Sequence, residues 1–236
     1  MEDIKNVYTS FYEDIKTMIS SLPVLILACL IYSVGQSLAA PLFARLGELP
    51  HGLLSWMLEM VIMMHFASLM ITLFAREHLV PGDLLHWDFQ LFYPLTQSYF
   101  VVFLVSMVFT LLFARALPIT ILELITLLWI IFTAPLFEAV YLGHESSAHV
   151  LSSLLEFWRT NWIPLLLYTA VGVVIYVGVF PFLATVDLIS PLGFGMFFLK
   201  ATLWAFYWMT KGILFRILYF SNPRSRAFHR HFGQDR

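Results

Sequence analysis

The sequence predicts an all-α, polytopic membrane protein: six transmembrane helices arranged as three hairpin repeats, each preceded by a cytoplasmic amphipathic helix. Three observations carry the prediction. The chain is 60% hydrophobic and 12% charged, with a mean hydropathy of +0.83, whereas an average soluble domain has about 25% charged residues. Apolar runs of membrane-crossing length recur along it. Finally, Pro23, Pro94 and Pro164 lie about 70 residues apart, the kind of long period that duplicated units produce. Each follows an amphipathic stretch and opens a pair of apolar runs.

About 20 residues at 1.5 Å each cross a ~30 Å hydrocarbon core. Runs of that kind cover 22–44, 51–75, 91–114, 116–140, 162–189 and 192–219. They group into repeat units of about 1–75, 76–145 and 146–220 within one membrane domain, 1–221, followed by a basic cytoplasmic tail, 222–236. A charged amphipathic stretch precedes the first apolar run, which is a full span long, so no cleaved signal peptide is expected.

In unit one, Ile4, Val7, Tyr8, Phe11, Ile15, Met18 and Ile19 recur at helical spacing, with Glu2, Lys5, Glu13, Asp14 and Lys16 on the other face. That pattern describes a helix lying in the membrane interface. Unit two offers Pro81, Leu84, Leu85, Trp87, Phe89, Leu91 and Phe92. Unit three offers Val150, Leu151, Leu154, Leu155, Phe157 and Trp158, with Ser146 and Ser147 as candidate caps. A 70-residue slide pairs Leu84 with Leu154, Pro94 with Pro164 and Leu95 with Leu165. Proline is tolerated in the first turn of a helix, where its missing N–H costs nothing, so the three prolines mark three helix starts. The endings Leu42–Arg45, Leu73–Arg76 and Leu112–Arg115 read as charged stops at the interface.

Basic residues near span ends set orientation. Lys5, Lys16, Arg76, Arg159, Lys211, Arg216, Arg224, Arg226 and Arg230 fall on one side, and Arg45 and Arg115 on the other. Both termini and all three amphipathic stretches are therefore expected on the cytoplasmic face of the membrane.

Charged residues inside spans are costly and become functional candidates by default. Glu59, Glu123 and Lys200 each lie seven to nine residues in from the outer end of a returning helix, roughly 10–14 Å deep at 1.5 Å per residue. They are expected to form one polar intramembrane layer, with His65 six residues further along the second span. The layer reads either as a buried Lys–Glu clamp between helices or as the lining of an outward-opening cavity. Glu138 and Asp187 fall near span ends, where water and headgroups solvate them. Gly35, Gly172, Gly178, Gly193 and Gly195 suggest close helix contacts.

No cofactor is expected. His65 has no second histidine at matching depth for haem, and the single Cys29 excludes a disulfide framework within the chain and a cysteine metal site. The sequence contains no HExxH pair, GxSxG elbow, P-loop or acidic metal-ligand cluster. Nothing in its charge pattern points to nucleic acid.

The stretch from Arg76 to Tyr168 contains Pro81-Gly82-Asp83, an amphipathic stretch and a span. It continues with Ala134-Pro135-Leu136-Phe137-Glu138, and then Ser152-Ser153-Leu154-Leu155 leading to Asn161-Trp162. It resembles a group of bacterial six-helix membrane proteins that includes YciC-like proteins and the membrane domain of some glycerophosphodiester phosphodiesterases. Members usually carry an arginine-containing amphipathic helix before the fifth span, and here Arg159 is the only candidate. The resemblance implies an inner-membrane protein and transfers no catalytic residue.

The expected function is therefore that of a non-enzymatic, multi-pass membrane scaffold or accessory subunit. Its partners would be membrane lipid and either a membrane protein or further copies of itself. The alternative is a small transporter or channel for an ion or amphiphile, using Glu59, Glu123 and Lys200.

Overall fold

Helix is the only regular structure among the described residues, as the composition requires of a chain with so little polar surface. A computed structural model describes residues 2–113, 117–174 and 191–220. Its α-helices are α1 (Glu2–Met18), α2 (Leu22–Ala44), α3 (Glu48–Arg76), α4 (Phe92–Phe113), α5 (Ile119–Thr133), α6 (Leu136–Tyr141), α7 (His149–Val174) and α8 (Pro191–Phe220). Four helical stretches are long and apolar enough to cross a membrane: Ile4–Ala44, Pro50–Arg76, Phe89–Phe113 and Ile119–Tyr141. These stretches are what an integral membrane protein requires. The later part of the expected fifth span, with Gly178 and Asp187, lies outside the described residues, as do Arg115 and the tail 222–236.

The three prolines stand just behind breaks in helical geometry. Pro23 is the second residue of α2, after a 3₁₀ turn at Ile19–Ser21. Pro94 is the third residue of α4, after a 3₁₀ turn at Phe89–Leu91. Pro164 lies within α7, three residues beyond Asn161, whose φ of −126° and ψ of 21° interrupt the helix. A proline in an opening turn loses no hydrogen bond, whereas one deep in a helix would. At 70-residue intervals the breaks end on buried Ser21, Leu91 and Asn161, and one turn later come buried Leu25, Leu95 and Leu165.

The chain divides into two compact units. The first comprises Phe11–Phe92 and Ala170–Ile213. Here α2 and α3 pack as an antiparallel hairpin joined by Arg45–Gly47. At 29 residues, α3 is about 43 Å long. Its early residues Leu53 and Met57 are exposed, while Met64 through Met70 form a continuous buried run. The close contact expected at Gly172 is present, against the Tyr207 ring, while the space around Gly35 and Gly195 is open.

The 77–91 connection in this unit differs from the expected amphipathic α-helix. It contains 3₁₀ turns at Pro81–Leu85 and Phe89–Leu91. Asp83 decides the local geometry, since its carboxylate accepts from the Val80 N–H at 2.8 Å and pairs with Arg76 at 3.2 Å. Ser21 accepts the Leu79 N–H at 2.9 Å, and Asp88 accepts that of Gln90 at 3.0 Å. Backbone donors are thus satisfied without a helix, as a segment packed in a low-dielectric environment must arrange. The apolar spacing was there, but side chains that capture the backbone locally overrode it.

Glu77 closes α3 in the left-handed region, with φ 62°, and its N–H donates to Leu73 at 2.7 Å. That position usually holds glycine, and a side chain there costs about 1–2 kcal/mol. Glu77→Gly is expected to raise stability by about 1 kcal/mol, measured as the unfolding midpoint in detergent.

The second unit comprises Met1–Ser10, Tyr93–Thr169 and Leu214–Arg236. In it, α5 stops at Ala134-Pro135, and the chain restarts as α6, all six of whose residues are buried. The Trp158 indole N–H donates to the Phe132 carbonyl at the break, 2.9 Å away. The opening of α7 follows the expected amphipathic pattern in part: it buries Val150, Leu154 and Phe157 and exposes Glu156 and Arg159, but Leu155, expected on the apolar face, is exposed. From α1, the Tyr8 hydroxyl donates to the Pro164 carbonyl at 3.0 Å. Ser147 does not cap α7 with its side chain. Its hydroxyl donates to the Gln97 side-chain carbonyl at 2.7 Å.

Each returning helix shares one asymmetry. The early part of α3, most of α5 and the early part of α8 expose leucine, isoleucine or phenylalanine, whereas Met64–Met70 of α3, all of α6 and Met209–Phe215 of α8 are buried.

Candidate functional site

Of the four residues singled out in the membrane helices, only His65 is buried, with 3% of its surface exposed. It sits on α3 amid the buried run, because Met64, Phe66, Ala67, Leu69 and Met70 leave that part of the helix no lipid-facing side. Two groups fix its ring. The Tyr32 hydroxyl of α2 lies 2.5 Å from Nδ1. The Trp87 indole stacks on the ring face, with centroids 4.0 Å apart and planes 13° from parallel. Trp87 is also stacked with Phe89, at 6.2 Å and 19°.

Trp87 reaches His65 because the 77–91 connection doubles back along α3. His65 is eleven residues before Arg76, or about 16 Å along the axis. Eleven residues after Arg76, the chain is beside it again. Ser68 secures the return by donating to the His86 carbonyl at 3.3 Å. Leu84 and His86 are also near the imidazole. An imidazole held between a phenol and an indole has one nitrogen hydrogen-bonded and one face covered. The arrangement locks a loop onto two helices and gives the hairpin a proton-accepting group.

Glu59 and Glu123 are exposed on α3 and α5, and neither has an ion-pair partner among the described residues. Lys200, on α8, is half-buried. The buried charges lie elsewhere. Glu138, expected near solvating headgroups, is fully buried within α6, and Lys211 of α8 is 6% exposed, its ammonium 4.2 Å from the Trp208 ring centroid. That is cation–π distance. Both belong to the buried ends of returning helices.

Sequence reasoning missed Tyr32, Trp87, Asp83 and Lys211. Trp87 read as one more interfacial aromatic. Pro81-Gly82-Asp83 was the available signal that the connection turns, because aspartate in that setting captures backbone N–H groups. Among the described residues no three His, Cys, Asp or Glu side chains come together in a way that could hold a metal ion.

The class these features define is an all-helical chain with four helices long and apolar enough to span a membrane among its described residues, consistent with an integral membrane protein. Comparisons with protein families, curated proteins and solved structures found no match to the chain.

Proposed function

We propose that the protein is a non-enzymatic membrane scaffold or accessory subunit. It spans a bacterial inner membrane six times as three related hairpins, with both termini cytoplasmic, and binds a membrane-protein partner, a further copy of itself or lipid. The observation that carries this reading is the exposure of Glu59 and Glu123 inside apolar helices, without an ion-pair partner among the described residues. A carboxylate facing hydrocarbon costs several kcal/mol, so such positions face protein or water. The apolar stretches Phe89–Phe113 and Ile119–Tyr141 add support, since only 11% of the most apolar window in each is buried. The breaks ahead of Pro23, Pro94 and Pro164, and the buried leucines behind them, support the threefold repeat.

The test is the composition of the complex extracted from native membranes in mild detergent. The wild-type protein is expected to carry a membrane-protein partner or a second copy. Glu59→Gln with Glu123→Gln is expected to lose it while remaining folded. A wild-type protein that runs as a lone, lipid-free monomer contradicts the proposal.

The same exposed carboxylates favour a second reading, a small transporter or channel with Glu59, Glu123 and Lys200 as its polar layer. Lys200→Met in proteoliposomes separates the two. Flux lost with the fold intact supports transport, and wild-type protein without flux opposes it.

A further inference from the structure

A cavity of about 500 Å³ lies between α4 and α5, both in the unit that contains Tyr93–Thr169. Its lining sets Ser106, Phe109 and Thr110 of α4 against Thr126, Trp129 and Phe132 of α5. We propose that it binds a lipid-soluble quinone, a flat ring that carries carbonyl acceptors and an apolar tail.

An orphaned donor is the first argument. The Trp129 indole nitrogen is shielded from solvent and has no hydrogen-bond partner among the described residues. A buried donor left without an acceptor is costly. The hydroxyls on the wall spend their own protons on their own helices. Ser106 donates to the Val102 carbonyl at 2.8 Å, Thr110 to the Ser106 carbonyl at 2.9 Å and Thr126 to the Leu122 carbonyl at 2.8 Å. The Trp129 N–H is therefore the donor this wall offers, and an occupant must bring the acceptor.

Depth narrows the choice of occupant. Trp129 lies ten residues into α5, about 15 Å along the axis, which is the middle of a ~30 Å hydrocarbon core. The ester carbonyls of a glycerolipid lie at the interface and do not reach it. A neighbouring transmembrane helix has its backbone carbonyls committed to its own ladder. A carbonyl on a molecule dissolved in the hydrocarbon does reach it. The walls suit a flat ring: Trp129 and Phe132 have centroids 5.6 Å apart and planes 30° from parallel, and Phe109 stands on the other helix. The volume falls in the range of small-molecule sites, about 300–1,000 Å³.

A place for the tail adjoins the cavity. A second hollow, of about 330 Å³, is lined by Leu104, Val105, Val108, Phe109, Leu112 and Phe113, all apolar. Val105 and Phe109 line both hollows. One hollow with a free donor beside another with no polar side chain matches a ligand with a polar ring and an apolar chain. Leu112 and Phe113 are exposed, so the second hollow borders lipid.

The experiment is native mass spectrometry of the full chain in detergent, incubated with an alkylbenzoquinone or with the alkylbenzene of equal chain length. The two probes share ring and tail and differ in the carbonyls. The quinone is expected to be retained about tenfold better, the effect of one hydrogen bond made in an apolar site. Trp129→Phe keeps an aromatic ring and removes the N–H, so it should abolish the preference and leave alkylbenzene retention unchanged. Trp56→Phe, on α3, should alter neither, and helical circular dichroism confirms that each variant is folded. Equal retention of the two probes by the wild-type protein overturns the proposal without recourse to any variant. A preference that survives Trp129→Phe overturns it too, as does loss of both probes from a folded Trp129→Phe. A phospholipid carried over from the membrane that the quinone fails to displace assigns the cavity to lipid and also overturns it. Because the readout is a bound small molecule, the result is independent of the partner test made with Glu59 and Glu123.

Discussion

Alanine in place of Leu25, Leu95 or Leu165 is expected to lower stability by about 2–5 kcal/mol in each case. Their exposures are 0%, 0% and 3%, so each truncation removes buried methyl groups and leaves a cavity the surrounding helices can only partly close. Leu38→Ala and Leu111→Ala are the controls, because those side chains are 66% and 72% exposed. Substitutions at such positions fall within about 0.5 kcal/mol. Unfolding midpoints of the purified protein in one detergent compare the five variants. If the buried leucines behave like the exposed ones, the assignment of the core is wrong. If one of the three departs from the other two, their correspondence at 70-residue intervals loses its meaning.

His65→Leu is expected to cost about 1–3 kcal/mol, because it leaves the Tyr32 hydroxyl without the nitrogen it bonds, 2.5 Å away. The damage should spread to the 77–91 connection, whose Trp87 loses a stacked partner at 4.0 Å, an aromatic contact worth about 0.5–1.5 kcal/mol beyond area burial. Backbone hydrogen exchange should therefore quicken from Glu77 to Leu91 ahead of the rest of the hairpin. Tyr32→Phe alone should cost a similar amount, since it leaves the Nδ1 of His65, 3% exposed, without its partner. The double variant isolates the pair, with an expected coupling of about 0.5–3 kcal/mol. Additive effects of the two substitutions would show that the hydroxyl and the imidazole act independently.

The helical architecture was legible because its causes are local. Length and apolarity suffice to identify α2, α3 and α4, and a proline in a first turn leaves its mark on α2 and α4 whatever surrounds it. The 77–91 connection was not legible for the opposite reason. Leu84, Trp87 and Leu91 carry usable apolar spacing, but the outcome depended on Ser21, Ser68 and His65, remote residues that receive the chain as it folds back. Burial was hidden for a third reason. In a membrane chain, lipid-facing and core-facing positions are equally apolar, so hydropathy does not separate Leu69, at 1% exposure, from Leu111, at 72%. Glu138 shows the consequence. By position it belonged among solvated residues, yet the restart of the chain after Pro135 buries all of α6. Glu59 and Glu123 show the converse, since charges that drew attention by their place in apolar runs lie on exposed surfaces.

The account rests on alternating hairpins that return to one membrane face, and cysteine accessibility in intact cells tests that most directly. In a Cys29→Ser background, single cysteines replace Leu46, His78, Leu117 and His144, which lie in successive connections between helices. A membrane-impermeant maleimide added from outside is expected to label Leu46→Cys and Leu117→Cys, and to reach His78→Cys and His144→Cys only after the membrane is opened. Labelling of Leu46→Cys and His78→Cys from the same side would contradict the account.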